Sequence, residues 1–213
     1  MYVVIRSLIA VMLLCALAFG EEQKLIQLPS PDTTGGKPLM QVLKERHSTR
    51  EFAPDTLTHE VLGNLLWAAC GINRPESGKR TSPSAMNWQE IDVYLTTAKG
   101  VFLYSPESHS LRPIMAGDFR EKAGFQPFVK EAPLNLVYVA NLAKVNVDID
   151  STIACLITAD AAFIAENVYL YCASAGLATV VRAYIDKDDF AKTFKLDPKQ
   201  RVILAQTVGY PKK

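Results

Sequence analysis

Apolar residues recur along this chain with two periods, and their succession predicts a mixed fold. Leu39, Val42 and Leu43 mark a short amphipathic helix opened by Pro38, a residue suited to a first helical position. After Pro54 a second helix starts near Thr58, with Val61, Leu62, Leu65, Leu66 and Ala69 as its stripe and Gly71 as its stop. Residues 91–97 alternate in the manner of a half-buried strand. Residues 101–104 and 111–115, split by the polar stretch 105–110, predict a hairpin, and the compact run 134–140 between Pro133 and Asn141 predicts a central strand. The longest periodic element covers 152–175. Ile153, Ile157, Ala161, Ile164, Val168 and Tyr171 share one face, yet the opposite face is also largely apolar, which predicts a helix buried in a core or an interface. A membrane span is the competing reading, and it would put Asp160, Glu166 and Asn167 at costly depth. Gly176 stops this helix; 177–185 reads as a strand, Asp186 caps a small helix carrying Phe190 and Phe194, and 201–210 reads as a last strand.

Two stretches lie outside this pattern. In residues 1–20, Arg6 precedes an apolar run that ends in small residues at Ala18 and Gly20, which predicts a secretory signal peptide cleaved before Glu21. An uncleaved anchor is the alternative, but the run is short for a span. Cys15 lacks the small preceding residue of a lipidation signal. Residues 21–37 are polar and contain Pro29, Pro31 and Gly35-Gly36, which predicts a flexible leader. The rest, 38–213, reads as one domain without internal repeats. The expected location is therefore outside the inner membrane, in the periplasm, with no stable membrane association after cleavage.

Composition narrows the partners. The chain is 49% hydrophobic and 21% charged, an ordinary globular balance. Of 23 basic and 22 acidic residues, removal of Arg6 leaves an even balance, which argues against a nucleic-acid partner. Cys70, Cys155 and Cys172 lie in apolar helical stretches and read as buried small hydrophobes, not a disulfide framework. No Cys-x-x-Cys or His pair at ligand spacing is present, so no metal is expected. His47, His59 and His109 form no nucleophile-and-base set; His59 reads as a surface residue and His109 as a loop residue.

Chemistry concentrates at Arg46-His47-Ser48-Thr49-Arg50, where two guanidiniums, an imidazole and a hydroxyl follow a short helix. Arg forks match phosphate oxygens bidentately, and hydroxyl and backbone N–H groups complete such a cradle. The competing reading is a solvated last turn that complements the helix dipole. Three further segments shift the balance: Leu66–Arg74 running on to Arg80-Thr-Ser-Pro83-Ser84-Ala85-Met-Asn87-Trp-Gln89; Asp160 to Arg182 through Ala175-Gly176-Leu177; and the terminal Val208-Gly209-Tyr210-Pro211.

In this order and spacing the four segments resemble the nitroreductase family of FMN-dependent oxidoreductases, in particular its short branch grouped with the azoline (thiazole/oxazole) dehydrogenases. The resemblance covers the chain from about Leu39 onward. It implies an α+β fold with a mostly antiparallel central sheet flanked by helices, assembled as an interleaved homodimer with FMN at the interface. It assigns Arg46, His47, Ser48 and Arg50 to the phosphate and ribityl side, and Pro83, Ser84, Ala85 and Asn87 to the loop along the isoalloxazine. Gln89 belongs to the same motif without a defined role. Ala175, Gly176 and Leu177 match the turn whose backbone N–H meets flavin N5; Ala175 stands where many members have an acid. Arg182 matches a position near the phosphate, with Lys212 or Lys213 adding to it. No catalytic side chain is implied, since the chemistry resides in the flavin. The implied activity is ping-pong transfer between NAD(P)H or a small organic donor and an acceptor such as a nitroaromatic or quinone. The alternative is a flavin-binding or storage module without turnover, and a secreted structural protein with fortuitous motifs is more remote. Trp67 reads as a core residue, Trp88 as a neighbour of the ring or of the subunit interface, and Asp160 as an interior charge satisfied by a nearby donor in preference to an active-site acid. Tyr169 and Tyr171 read as packing residues.

Overall fold

The computed structural model describes residues 24–212, so the expected signal peptide at 1–20 lies outside the described residues. The elements in chain order are β1 (Ile26–Gln27), α1 (Leu39–Glu45), α2 (His59–Cys70), β2 (Ile72–Arg74), β3 (Lys79–Arg80), β4 (Ile91–Thr96), β5 (Gly100–Ser105) and β6 (Ser110–Ala116). They continue with α3 (Phe128–Glu131), β7 (Leu134–Asn141), α4 (Ser151–Ala175), β8 (Ala178–Arg182), α5 (Lys187–Thr193) and β9 (Gln200–Gly209). Seven strands form one sheet in the order β1-β6-β5-β4-β7-β9-β8, and every neighbouring pair is antiparallel. The α+β architecture is the expected one. β2 and β3 form a small separate hairpin inside the polar connection after α2.

The central strands are covered on both sides. Leu134, Leu136 and Tyr138 of β7 pack with α2 and α4, while Val137 and Val139 pack with Phe190 and Phe194 on the other face. β4 departs from its half-buried reading for the same reason: Ile91, Val93 and Leu95 enter the first core and Tyr94 the second. Its alternation comes from Asp92, which takes an ion pair from Lys144 at 2.8 Å, and not from an open face.

Helix α4 is the hub. The Asp150 carboxylate caps it by accepting the Ile153 N–H at 2.8 Å. By length and composition alone α4 could cross a membrane, but Ile157, Ala161, Ile164, Ala165, Val168 and Cys172 are packed into the core. Gly176 ends it in the left-handed conformation, φ 70°. A Cβ added there would meet nothing within 4 Å. Gly176→Ala is therefore expected to cost only the backbone penalty, about 1 kcal/mol, and to lower the Tm by about 2–4 °C in a thermal melt.

Two expectations are corrected. The leader is not a free segment over its described part: Ile26 pairs with Leu111 of β6, Leu28 is buried, and the Asp32 N–H donates to Asn64 Oδ1 at 2.8 Å. An apolar pair spaced by two residues suffices for an edge strand once β6 supplies the ladder. Among the cysteines, Cys70 and Cys172 are buried, with burial pushing the Cys70 thiol up to about 12, whereas Cys155 lies exposed on the outer face of α4.

Candidate functional site

The cationic loop leaves α1 and turns across the C-terminal half of α4. The guanidinium carbon of Arg46 stands 5.4 Å from the centre of the Tyr169 ring, a cation–π distance. Ser48 Oγ and Tyr169 Oη are 2.7 Å apart, and the same phenol oxygen accepts the Val181 N–H at 3.0 Å. The Thr49 N–H donates to the Thr179 carbonyl at 2.9 Å, and His47 Nδ1 lies 2.7 Å from the Glu45 carbonyl. These bonds tie the loop to β8, three residues beyond Gly176. Among the described residues neither Arg46 nor Arg50 is in an ion pair. Two fork-shaped cations without carboxylates, on a loop pinned by its backbone, suit an anionic ligand.

The C-terminal segment joins this cluster. Phe52 bridges to Pro211, the Ala53 N–H donates to the Tyr210 carbonyl at 2.9 Å, and the Lys212 N–H reaches the Glu51 carbonyl at 3.4 Å. Phe52, Pro54, Gly176, Tyr210 and Lys212 line an open hollow of about 910 Å³. On the other side of the turn, Ala175 closes a second hollow of about 630 Å³ with Lys37, Trp67, Asn167 and Tyr171. The turn thus stands at the lip of both. Its donors are already engaged: the N–H groups of Gly176 and Leu177 both donate to the Cys172 carbonyl. The turn therefore presents an exposed, side-chain-poor surface instead of a free N–H.

The second cluster lies elsewhere on α4. Residues 83–89 form a kinked loop in which Met86 (φ 50°), Asn87 (φ 55°) and Gln89 (φ 50°) all adopt the left-handed region. Three such residues within four positions store backbone strain of the kind found at ligand sites. The loop is held by the Ala85 N–H, which donates to Asp160 Oδ2 at 2.8 Å, and by Ser84 Oγ, which accepts the Gln89 N–H at 2.8 Å. The Gln89 amide donates to the Gly78 carbonyl at 3.1 Å and to Asn87 Oδ1 at 3.2 Å. Asn87 itself is exposed. Asp160 is the interior carboxylate met by a nearby donor that its position implied. Trp88 is buried, with its indole N–H on Asn146 at 2.8 Å.

Along α4, Asp160 and Ala175 are separated by about 22 Å at 1.5 Å per residue. Within one chain the 83–89 loop and the Arg46–Gly176 cluster are therefore two separate clusters.

Arg182 belongs to neither. It is buried among Asn135, Thr207 and the Ala123 carbonyl, and each of its nitrogens donates to a protein oxygen. Burial alone pushes its guanidinium down to about 10. A phosphate-side role for Arg182 is corrected to a structural one: it stitches β8 and β9 to β7. Two residues with parts in the site were missed from sequence. Tyr169 reads as packing because its hydroxyl partners are distant in the chain. Glu90 is fully buried behind the 83–89 loop, and its only sequence signal is a carboxylate abutting an apolar strand.

Taken together, the antiparallel sheet and the helices that cover it define an α+β framework of the kind found in a family of oxidoreductases. More narrowly, the chain belongs to the nitroreductase family, whose model matches residues 43–210. A nitroreductase-type protein from Methanocaldococcus jannaschii is 30% identical over 174 residues, covering 76% of this chain and 86% of that protein. A crystal structure of a nitroreductase-type protein from Ralstonia eutropha JMP134 is 42% identical, covers 92% of this chain and 93% of its own, and superposes with a TM-score of 0.85. More distant likenesses show the fold alone. One is within the Escherichia coli microcin synthetase McbBCD complex, at 20% identity, TM-score 0.68, and 93% and 73% coverage. Another is a nitroreductase-type protein from Desulfovibrio desulfuricans in complex with FMN, at 16% identity, TM-score 0.61, and 83% and 88% coverage.

Proposed function

We propose that this chain is an FMN-dependent oxidoreductase that works as a homodimer. The observation that carries the reading is the convergence of the Arg46–Arg50 loop with the Ala175–Gly176 turn in one subunit, bonded through Thr49, Ser48 and Tyr169. The residues fit a flavin mononucleotide. Arg46 and Arg50 supply unpaired cations for its phosphate, the 83–89 loop offers Asn87 to a polar ring edge, and the glycine turn allows close approach of a flat ring. The family membership and the FMN-bound neighbour support the same cofactor.

Assembly follows from the gap between the two clusters. A second copy packed on the outer face of α4 would bring its 83–89 loop to the first copy's Gly176 turn. Leu156 and Phe163 on that face, with Leu39, Met40 and Leu43 of α1, are large and exposed in the single chain. Apolar surface of this extent is normally covered.

When bound, the isoalloxazine supplies ping-pong redox chemistry, taking hydride from a donor and passing electrons to a small acceptor such as a nitroaromatic or quinone. The chain's residues hold the anionic end, orient the ring and leave one face open; no side chain is needed as a nucleophile. If the N-terminal segment exports the protein to the periplasm, NAD(P)H is scarce there, and a small organic donor becomes the better substrate class. The test is spectroscopic. The purified protein should be yellow or become so with FMN, bleach anaerobically with a donor, and reoxidise with an acceptor at catalytic rates. Bleaching without turnover would leave a flavin-storage module, and no flavin spectrum with FMN added would sink the proposal.

A further inference from the structure

The strained 83–89 loop needs a reason to stay where it is, and its tether is unusual. Asp160 Oδ2 accepts the Ala85 N–H at 2.8 Å, and Glu90 Oε2 accepts from Ser84 Oγ at 3.3 Å. The two carboxyls, one on α4 and one on the residue just before β4, line the same small void together with Ser84. Glu90 is fully buried, and its other oxygen, Oε1, has no hydrogen-bond partner among the described residues. A buried carboxylate oxygen without a partner, on a side chain that shares a small void with a second carboxylate, is a costly arrangement unless the pair holds one proton.

The neighbouring charges do not relieve it. Arg80, from β3, lines the same small void of about 10 Å³, but its Nη2 turns to Glu107 at 3.3 Å and its Nε makes no bond among the described residues. Lys144 is taken by Asp92 and the Gln89 carbonyl, at 2.8 Å and 3.2 Å. From α4, Ile164 contributes only apolar surface, and from β7 the neutral Asn141 N–H bonds the Glu90 backbone carbonyl at 2.8 Å.

We propose that Glu90 and Asp160 share one proton and act as a latch that holds the 83–89 loop on α4, so that losing this proton loosens the loop and weakens the grip on FMN. Both are positioning residues: they act through Ser84 and Ala85 on Asn87 and Gln89. The flavin part rests on the proposed function; the latch itself does not. Burial, and then the negative charge of Asp160, hold the Glu90 carboxyl up at about 7, and burial raises Asp160 as well. For a carboxyl raised above its ordinary value, the stabilising contribution is complete below about pH 4.5 and is lost as pH climbs through about 7. The latch is therefore closed in mild acid and open in mild alkali.

Two readouts on the full chain test this. In protein without FMN, exchange protection of the Ala85 and Gln89 amides, corrected for intrinsic rates, should fall about tenfold between pH 6 and 8.5. Glu90→Gln, whose carboxamide can donate to Asp160 at every pH, should keep that protection throughout. In FMN titrations followed by flavin fluorescence, the wild type should bind about tenfold more weakly at pH 8.5 than at pH 6, relative to Glu90→Gln at the same two values. The FMN phosphate gains charge over this range too, but equally for both proteins, so the ratio isolates the latch. Identical pH profiles for wild type and variant, or unchanged Ala85 protection in the wild type, would overturn the proposal. Should Glu90→Gln fail to fold, infrared titration of the wild type decides: a protonated carboxyl band persisting to about pH 7 supports the latch, and its absence at pH 6 sinks it. Failure of both proteins to bind FMN at any pH would count against the flavin reading, while the exchange and infrared results would still judge the latch.

Discussion

Arg46→Ala is expected to weaken FMN binding by about 2–3 kcal/mol, roughly 30- to 150-fold in Kd, the scale of one charge-assisted bond lost from a partly screened site. Arg46 carries this effect because nothing acidic among the described residues competes for it. Its guanidinium rests on the Tyr169 ring at 5.4 Å, which fixes the fork without neutralising it. Arg46→Lys should recover only part of the loss, since an ammonium keeps the charge and forfeits both the planar fork and the stacking. Fluorescence titration with FMN reads the difference directly, and an unchanged Kd would move the phosphate away from this loop.

Arg182→Leu should behave in the opposite way. It is expected to destabilise the fold by about 3–5 kcal/mol, because Asn135 Oδ1, the Ala123 carbonyl and the Thr207 hydroxyl lose their buried donor together. The turn at Gly124 packs so closely on this guanidinium that a Cβ there would collide with it. A urea titration should show the midpoint falling steeply. FMN affinity of the folded fraction should be unaffected, and a selective loss of binding at unchanged stability would return Arg182 to the phosphate side.

These two arginines show how far sequence reaches. Both are cations at plausible family positions, and nothing local separates them. Arg46 ends an exposed helix, whereas Arg182 ends a strand whose inner face becomes buried only when residues 120–123 and β7 close over it. The long elements were legible because their apolar period is uninterrupted: α4, β7 and the β5–β6 hairpin fall within a residue or two of their expected limits. β1 was not, because Ile26 and Leu28 are too few to outweigh the surrounding prolines and glycines without knowledge of β6. The cationic loop and the 83–89 loop were legible as motifs. Their separation along α4, the roles of Tyr169 and Glu90, and the engaged donors of the Gly176 turn depend on contacts between residues far apart in the chain.

The docking of β1 on β6 has a practical consequence for anyone trimming this protein to its recognisable core. A fragment begun at residue 38 would strip the last rung from one margin of the sheet and leave β6 with unpaired amides and carbonyls along its outer side. Such a bare margin invites lateral stacking with other copies, so the short polar stretch ahead of the first helix serves as a guard against precipitation.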